Sequence, residues 1–444
     1  MSASKHAVGF TLLLLFFCAG SSAQTIEVQA ETGLLDEVLR IQVTGLRPGQ
    51  AVIVRASMPD GEGRLWQSHA GFYADEDGMV DLSRHAPANG DYSGVNPMGL
   101  IQFMDLPFAQ RGPRFHNRPF EPLVTRFSAE VDGKEVAAQE VTRRLARPGL
   151  VIRDLRAQGL VGRLFLPATP GPHPGALILG GSEGGLSSEP DAALLASHGF
   201  AALALAYFGA EGLPEALEEI PLEYFMGAIA WMQAQSEIGD KGIALLASSK
   251  GAEAALILAS THGDVRAVVT YAPSSVVWSC ICDHPDKSSW SYQGQPVPFI
   301  PAGRDPTYRP PANFPIRAAI NYRYRLRDRE AIARAAIPVE RIHGPVLLIS
   351  GTDDQLWPSS EMAESIMERL RANEHPFLYR HLSYEGAGHS SAKAYLPMAG
   401  TTSAAGGRLS LGGSVEANAR AQADSWPRVL EFLQTALRPR SLDN

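Results

Sequence analysis

Three cysteines in 444 residues are too few for a disulfide framework. One of them, Cys18, falls in a stretch expected to be removed, which leaves Cys280 and Cys282. A Cys-x-Cys pair could close a small disulfide, although the spacing does not demand one. As metal ligands the two lack a second Cys or His pair at a usual spacing, with only His284 nearby. Basic excess is also missing: 39 Lys and Arg stand against 47 Asp and Glu, a net charge of −8, which excludes the electrostatic footprint of a general nucleic-acid binder. No apolar run reaches the ~20 residues that span a bilayer, so no stable membrane insertion is expected.

The longest apolar run, Val8 to Ala19, follows Lys5 and His6 and precedes the small residues Ser21-Ser22-Ala23. That arrangement predicts a secretory signal over residues 1–23 and a secreted or periplasmic mature protein. A lipoprotein signal at Cys18 is disfavoured because Phe16 and Phe17 are bulky where such sites need small residues.

The full chain is 45% hydrophobic and 19% charged, enough for a large core and two or three domains. From 24 to 147 the pattern is one of short strands and turns. Val38 to Val43, Ala51 to Ala56 and Phe127 to Val131 are apolar or β-branched, bounded by Arg-Pro-Gly, Pro-Asp-Gly and Asp-Gly. This predicts a small β-sandwich, with Tyr92 to Leu100 as a loop packing on a neighbour. Over 148–440 the period changes. Continuous apolar runs at Ala176 to Leu179, Ala201 to Ala206, Ile243 to Leu246, Ala267 to Tyr271, Val346 to Ile349 and Phe377 to Leu382 are mostly separated by helix-length segments. Strands buried on both faces with helical crossovers predict an α/β architecture, a doubly wound and mostly parallel sheet. The interval 274–341, rich in Pro, Trp and Arg, is expected to pass over the carboxyl edge of that sheet, where open α/β sheets bind ligands.

The chemistry concentrates in three loops. Ile243 to Glu253 runs an apolar strand into a helix through Ala247-Ser248-Ser249-Lys250-Gly251, the context of the nucleophile elbow of α/β-hydrolases. The strained central residue needs tiny neighbours two positions away. Ser249 has Ala247 and Gly251 there; Ser248 would have Leu246 and Lys250, so Ser249 is the candidate nucleophile. An ordinary strand-turn-helix with two exposed serines would read the same in isolation. A serine needs a base, and the base an orienting acid, in the chain order Ser, acid, His. Asp354 in Gly351-Thr352-Asp353-Asp354 is preferred to Asp353 as the acid, and His389 in Gly386-Ala387-Gly388-His389 is the candidate base. The backbone N–H of Lys250 and one near Ser182, in Gly180-Gly181-Ser182-Glu183-Gly184-Gly185, would bind the oxyanion. That loop lacks both the Gly-Lys-Ser/Thr of a P-loop and the Gly-x-Gly-x-x-Gly of a dinucleotide site, so no cofactor and no metal is expected.

Further motifs stand around these. They include Pro97-Met98-Gly99-Leu100, Leu205-Ala206-Tyr207-Phe208, Leu222-Glu223-Tyr224-Phe225, Ile337-Pro338-Val339-Glu340, Trp357, and Gly412-Gly413 ahead of Asp424-Ser425-Trp426. As an ordered set with the elbow, they make the chain resemble the family of acyl-CoA thioesterases and bile acid-CoA:amino acid N-acyltransferases over nearly its whole mature length. The resemblance implies a β-sandwich ahead of an α/β-hydrolase core, a triad on Ser249, Asp354 and His389, and a small-molecule acyl thioester or ester as substrate. Members that transfer to amino acids look to use Cys as nucleophile, so Ser249 favours hydrolysis over the remaining alternative of acyl transfer. A leader peptide directs the protein away from intracellular coenzyme A, which implies as an alternative an exported carboxylesterase or amidase. Arg323, Arg325, Arg327 and Arg329 would either face CoA phosphates or form a solvated, salt-bridged segment.

Overall fold

A computed structural model of the chain describes residues 23–438 apart from 108–113, 119, 284–285, 311, 313–314, 391 and 405–406. The signal expected over 1–23 lies outside the described residues but for Ala23, as does His284.

The amino-terminal part forms a three-stranded sheet (Thr25–Gln29, Arg40–Thr44, Val80–Asp81) and a five-stranded one (Ala51–Pro59, Leu65–Tyr73, Asn89–Gly90, Leu123–Val131, Lys134–Arg143). All pairings within them are antiparallel. Alternation dictates the packing: in Ala51–Pro59 every second residue, Val52, Val54, Ala56 and Met58, is buried. Trp66, Phe72 and Phe127 from this sheet share one core with Ile26, Val28, Ile41 and Val43 from the other. The expected loop at Tyr92 to Leu100 differs in one respect. Gly99–Gln102 forms a helical turn, because Met98, Leu100 and Ile101 are all drawn into this core.

The second part is built on one eight-stranded sheet. Its strands are β1 (Val151–Ala157), β2 (Leu160–Leu166), β3 (His173–Leu179), β4 (Ala201–Ala206), β5 (Ile238–Ser248), β6 (Val265–Tyr271), β7 (Val346–Gly351) and β8 (Tyr379–Tyr384). Their spatial order is 1-2-4-3-5-6-7-8. β2 runs antiparallel to β1 and β4, and the remaining pairs are parallel. Helices α1 (Glu189–Ser197), α2 (Leu222–Gln233), α3 (Lys250–Thr261), α4 (Ser359–Ala372) and α5 (Val415–Ala436) pack on it. Every residue of β4 and β7 is buried, as strands covered on both faces require. The order reverses between β3 and β5, since the chain leaves β3 toward β4 and returns on β3's other side. At such a switch point the carboxyl-end loops part and leave a crevice. The loops that meet there are Gly180–Gly185 after β3 and the Ser249 turn after β5.

Residues 274–341 carry the short strands Trp290–Tyr292 and Gln295–Pro296 and the helices Ala319–Arg325 and Arg329–Ala335. Among the described residues no helix is long and apolar enough to cross a membrane.

Candidate active site

Ser249 sits between the last residue of β5 and the first of α3 with φ +54° and ψ −122°, a backbone conformation that costs a non-glycine residue energy. Its amide donates to Tyr271 O at 2.9 Å, which ties the turn to β6. The tightness is measurable at Gly251, where a Cβ would stand 2.1 Å from Gly180 O and 2.8 Å from Leu179 O, closer than any carbon can approach. Only glycine fits. Ser249 holds the cap position of α3, yet its hydroxyl caps nothing in the helix. It is 2.9 Å from His389 Nε2 instead.

His389 and Asp354 complete a chain of contacts. His389 Nδ1 is 2.8 Å from Asp354 Oδ2. A carboxylate only accepts, so Nδ1 carries the proton and Nε2 is the acceptor for the Ser249 hydroxyl. Asp354 is 1% exposed; its Oδ1 accepts from the amides of Leu356 and Trp357 at 3.0 and 3.1 Å, and its Oδ2 also accepts from the Ser359 hydroxyl at 2.6 Å. A buried carboxylate with that many donors is held in one rotamer. Asp353 points elsewhere, accepting from the Gln355 side chain and from Gly413 N at 2.9 Å.

The His389 loop is positioned by residues that sequence reasoning missed. Asn418, fully buried on α5, accepts from Gly388 N at 2.8 Å and donates to Thr401 Oγ1 at 3.1 Å. His389 N donates to Leu411 O at 2.8 Å. Gly388 approaches Gly412 so closely that a Cβ on it would lie 2.3 Å from the Gly412 carbonyl oxygen, and Gly412 and Gly413 both adopt φ +76°. The Gly412-Gly413 pair was visible in the sequence; its packing on the histidine loop was not.

Residues 274–341 reach the same place. The rings of Trp278 and Tyr322 lie 4.8 Å apart, those of Tyr322 and Trp357 6.0 Å, and those of Trp357 and His389 5.7 Å. Of the arginines expected either to face CoA phosphates or to form a solvated, salt-bridged segment, Arg323 is salt-bridged and Arg325 is placed differently. Arg323 pairs with Glu361 at 2.6 Å, but Arg325 lies over the rings of Trp278 and Tyr322 at 4.6 and 4.3 Å, and this burial lowers its pKa. Arg325 is thus half-buried against aromatic faces.

Lys250 has two parts with different fates. Its amide is the first of α3, and the first N–H groups of a helix have no partner within it, so this one is free to meet an anion. Its side chain is buried, with Nζ 2.8 Å from Glu253 Oε1. Glu253 Oε1 also accepts from Trp290 Nε1 at 2.7 Å and Trp278 N at 3.2 Å. Burial lowers the Lys250 pKa and raises that of Glu253, each opposed by the attraction between them. Ser182 is exposed in the loop after β3, directly after Gly181, whose own Cβ would stand 3.1 Å from Ser249 Cβ.

Cys280 and Cys282 are joined in a disulfide, which resolves the alternatives left by the sequence. Glu218 lies beside them. With both sulfurs bonded to each other they offer no thiolate pair to a metal.

Residues 36–157 match the family model of the acyl-CoA thioester hydrolase/BAAT N-terminal region, and residues 220–439 match that of the BAAT/acyl-CoA thioester hydrolase C terminal. Acyl-coenzyme A thioesterase 2, mitochondrial, of Mus musculus is 33% identical over 427 residues, covering 94% of this chain and 90% of the relative. Acyl-coenzyme A thioesterase 1 of Rattus norvegicus is 33% identical over 415 residues, covering 91% and 95%. Bile acid-CoA:amino acid N-acyltransferase of Mus musculus is 32% identical over 429 residues, covering 92% and 96%.

Proposed function

Because this chain belongs to the family of acyl-CoA thioester hydrolases and bile acid-CoA:amino acid N-acyltransferases, we propose that it is a serine hydrolase that cleaves acyl thioesters through a covalent acyl-enzyme. The observation that carries this reading is the unbroken series from Asp354 Oδ2 through His389 to Ser249 Oγ, at 2.8 and 2.9 Å, on a strained turn at the sheet's switch point. Ser249 Oγ attacks the carbonyl carbon as His389 Nε2 takes its proton, and Asp354 holds the imidazole and stabilises its charged form. The oxyanion is met by the Lys250 amide, at the positive end of α3, and by the loop after β3. The proton on Nε2 passes to the leaving thiol or alcohol. Water, deprotonated by the same nitrogen, then attacks the acyl carbon and releases the acid.

The leader-like residues Lys5 to Ala23 support a second reading of the substrate, in which the enzyme is exported and acts on non-CoA esters or amides. Turnover on short and long acyl-CoAs, compared with matched p-nitrophenyl esters, separates the two. Hydrolysis of acyl-CoA that is lost in Ser249→Ala supports the first; hydrolysis of the esters alone removes it. Cell fractionation with peptide mass spectrometry tests export, since a mature protein that begins at Met1 in the cytoplasm contradicts it.

A further inference from the structure

We propose that Tyr207 is a positioning residue for the oxyanion hole, aiming the backbone N–H of Ser182 at the substrate oxygen by holding the two carbonyls that precede it. The inference rests on the serine-hydrolase reading above.

Tyr207 directly follows β4, and its hydroxyl is 2.7 Å from Gly180 O and 2.7 Å from Gly181 O. One phenolic proton is therefore shared by two consecutive peptide units of the loop after β3. Both units are trans, since the cis peptide described is Gly171-Pro172. In a trans peptide the N–H points opposite to the C=O. With the carbonyls of Gly180 and Gly181 both turned to Tyr207, the amides of Gly181 and Ser182 are turned away from it.

The same loop lies against the nucleophile elbow, with the Gly180 carbonyl wedged between Tyr207 and Gly251. A Cβ on Gly181 would stand 3.1 Å from Ser249 Cβ, and one on Gly251 would strike Gly180 O. Loop and elbow are in van der Waals contact, so a peptide that flipped by half a turn would present a carbonyl oxygen where a donor is needed. Gly180 and Gly181 leave the first of these peptides without a flanking side chain and the second with one only at Ser182, so the loop itself presents little barrier to such a flip. The tyrosine hydroxyl supplies the restraint. Donors fixed in advance stabilise the transition state without reorganising during the reaction.

Tyr207 is itself held. Its ring packs on those of Phe208, Phe225 and Trp290 at centroid distances of 5.2, 5.3 and 5.8 Å. Burial, reinforced by the charges of Glu183 and Glu253, pushes its pKa well above the ordinary tyrosine value, so the hydroxyl remains a donor wherever the enzyme works.

Tyr207→Phe keeps the ring and deletes the hydrogen bond. Its turnover, its melting temperature and its affinity for a trifluoromethyl ketone are compared with those of the wild type. Such a ketone adds to the serine as a tetrahedral oxyanion, whereas the product carboxylic acid does not. The expected result is a kcat lower by about 10- to 100-fold, somewhat less than deletion of an oxyanion donor outright, with KM within about twofold. Ketone affinity falls by a similar factor and affinity for the acid is unchanged. A lower melting temperature with wild-type kcat and ketone affinity overturns the proposal. Should Tyr207→Phe not fold, Ser182→Pro removes the donor itself at an exposed position; wild-type ketone affinity in that variant overturns the proposal equally. Failure of the wild type to bind the ketone would count against the hydrolase reading instead, so the two failures are distinct.

Discussion

Ser249 and its neighbours illustrate how much chemistry single residues carry. The sterics that select Ser249 over Ser248 in the sequence reappear as a distance, the 2.1 Å between a hypothetical Gly251 Cβ and Gly180 O. Gly251→Ala must therefore move backbone, and we expect it to cost about 3 kcal/mol or more and to abolish turnover, as read by denaturant unfolding and ester hydrolysis. The neighbouring aspartates make a sharper comparison. Asp354→Asn should lower kcat by about 10³- to 10⁴-fold, because an amide in that position no longer dictates the proton on Nδ1. Asp353→Asn should stay within about tenfold of wild type, since that carboxylate serves Gln355 and Gly413 instead. Equal losses in the two variants would show the assignment of Asp354 to be wrong. Turn chemistry made legible the three side chains that meet here, Ser249, His389 and Asp354. Tyr207 was not legible, because the sequence places it in an apolar motif and only the fold brings its hydroxyl to a loop 26 residues earlier.

Among the elements, those that alternate strand with helix were readable, and those held by long-range contacts were not. α3 begins where the elbow motif runs from strand into helix, spans Lys250–Thr261, and buries Lys250 through Ser260. α5 escaped, since it carries Pro427 within it and is polar over much of its length. Its buried Asn418 holds the histidine loop, so Asn418→Ala should lower kcat and the rate of phosphonate labelling of Ser249 together, by about tenfold. The rate of labelling by a small phosphonate, set beside kcat, checks this. Glu253 ties the other flank, gathering Lys250, Trp278 and Trp290 on one carboxylate oxygen. Glu253→Ala leaves a buried ammonium without its counter-charge, and a loss of about 3–5 kcal/mol in chemical denaturation is expected.

At the scale of the molecule the two parts share one core. Gln102 donates to Gln422 at 2.6 Å and Arg143 to the Tyr395 carbonyl at 3.2 Å. Asp36 accepts from His198 and Trp426 at 2.6 and 2.7 Å. None of these pairings is visible in the sequence, because their partners lie 162 to 390 residues apart. A shared core predicts one cooperative unfolding transition in calorimetry; two separate transitions would contradict it. Stability should also depend on acid through Asp60. Burial opposes its charge, yet hydrogen bonds from Arg64, Trp66 and the Glu62 and Arg64 amides outweigh that and hold its pKa at about 2. The folded value lies below the unfolded one, so the stabilisation is full above about pH 4 and is lost as pH falls toward 2. Asp60→Asn should thus cost on the order of 1–2 kcal/mol near neutrality and little at pH 2, by urea unfolding.

The central claim is that Ser249, activated by His389 and Asp354, is the nucleophile. Its most direct test is to treat the protein with a fluorophosphonate and map the adduct by peptide mass spectrometry. A single adduct is expected on Ser249, absent from Ser249→Ala and much slower to form in a His389→Ala variant. No adduct on the folded wild type, or one that persists in Ser249→Ala, would contradict it.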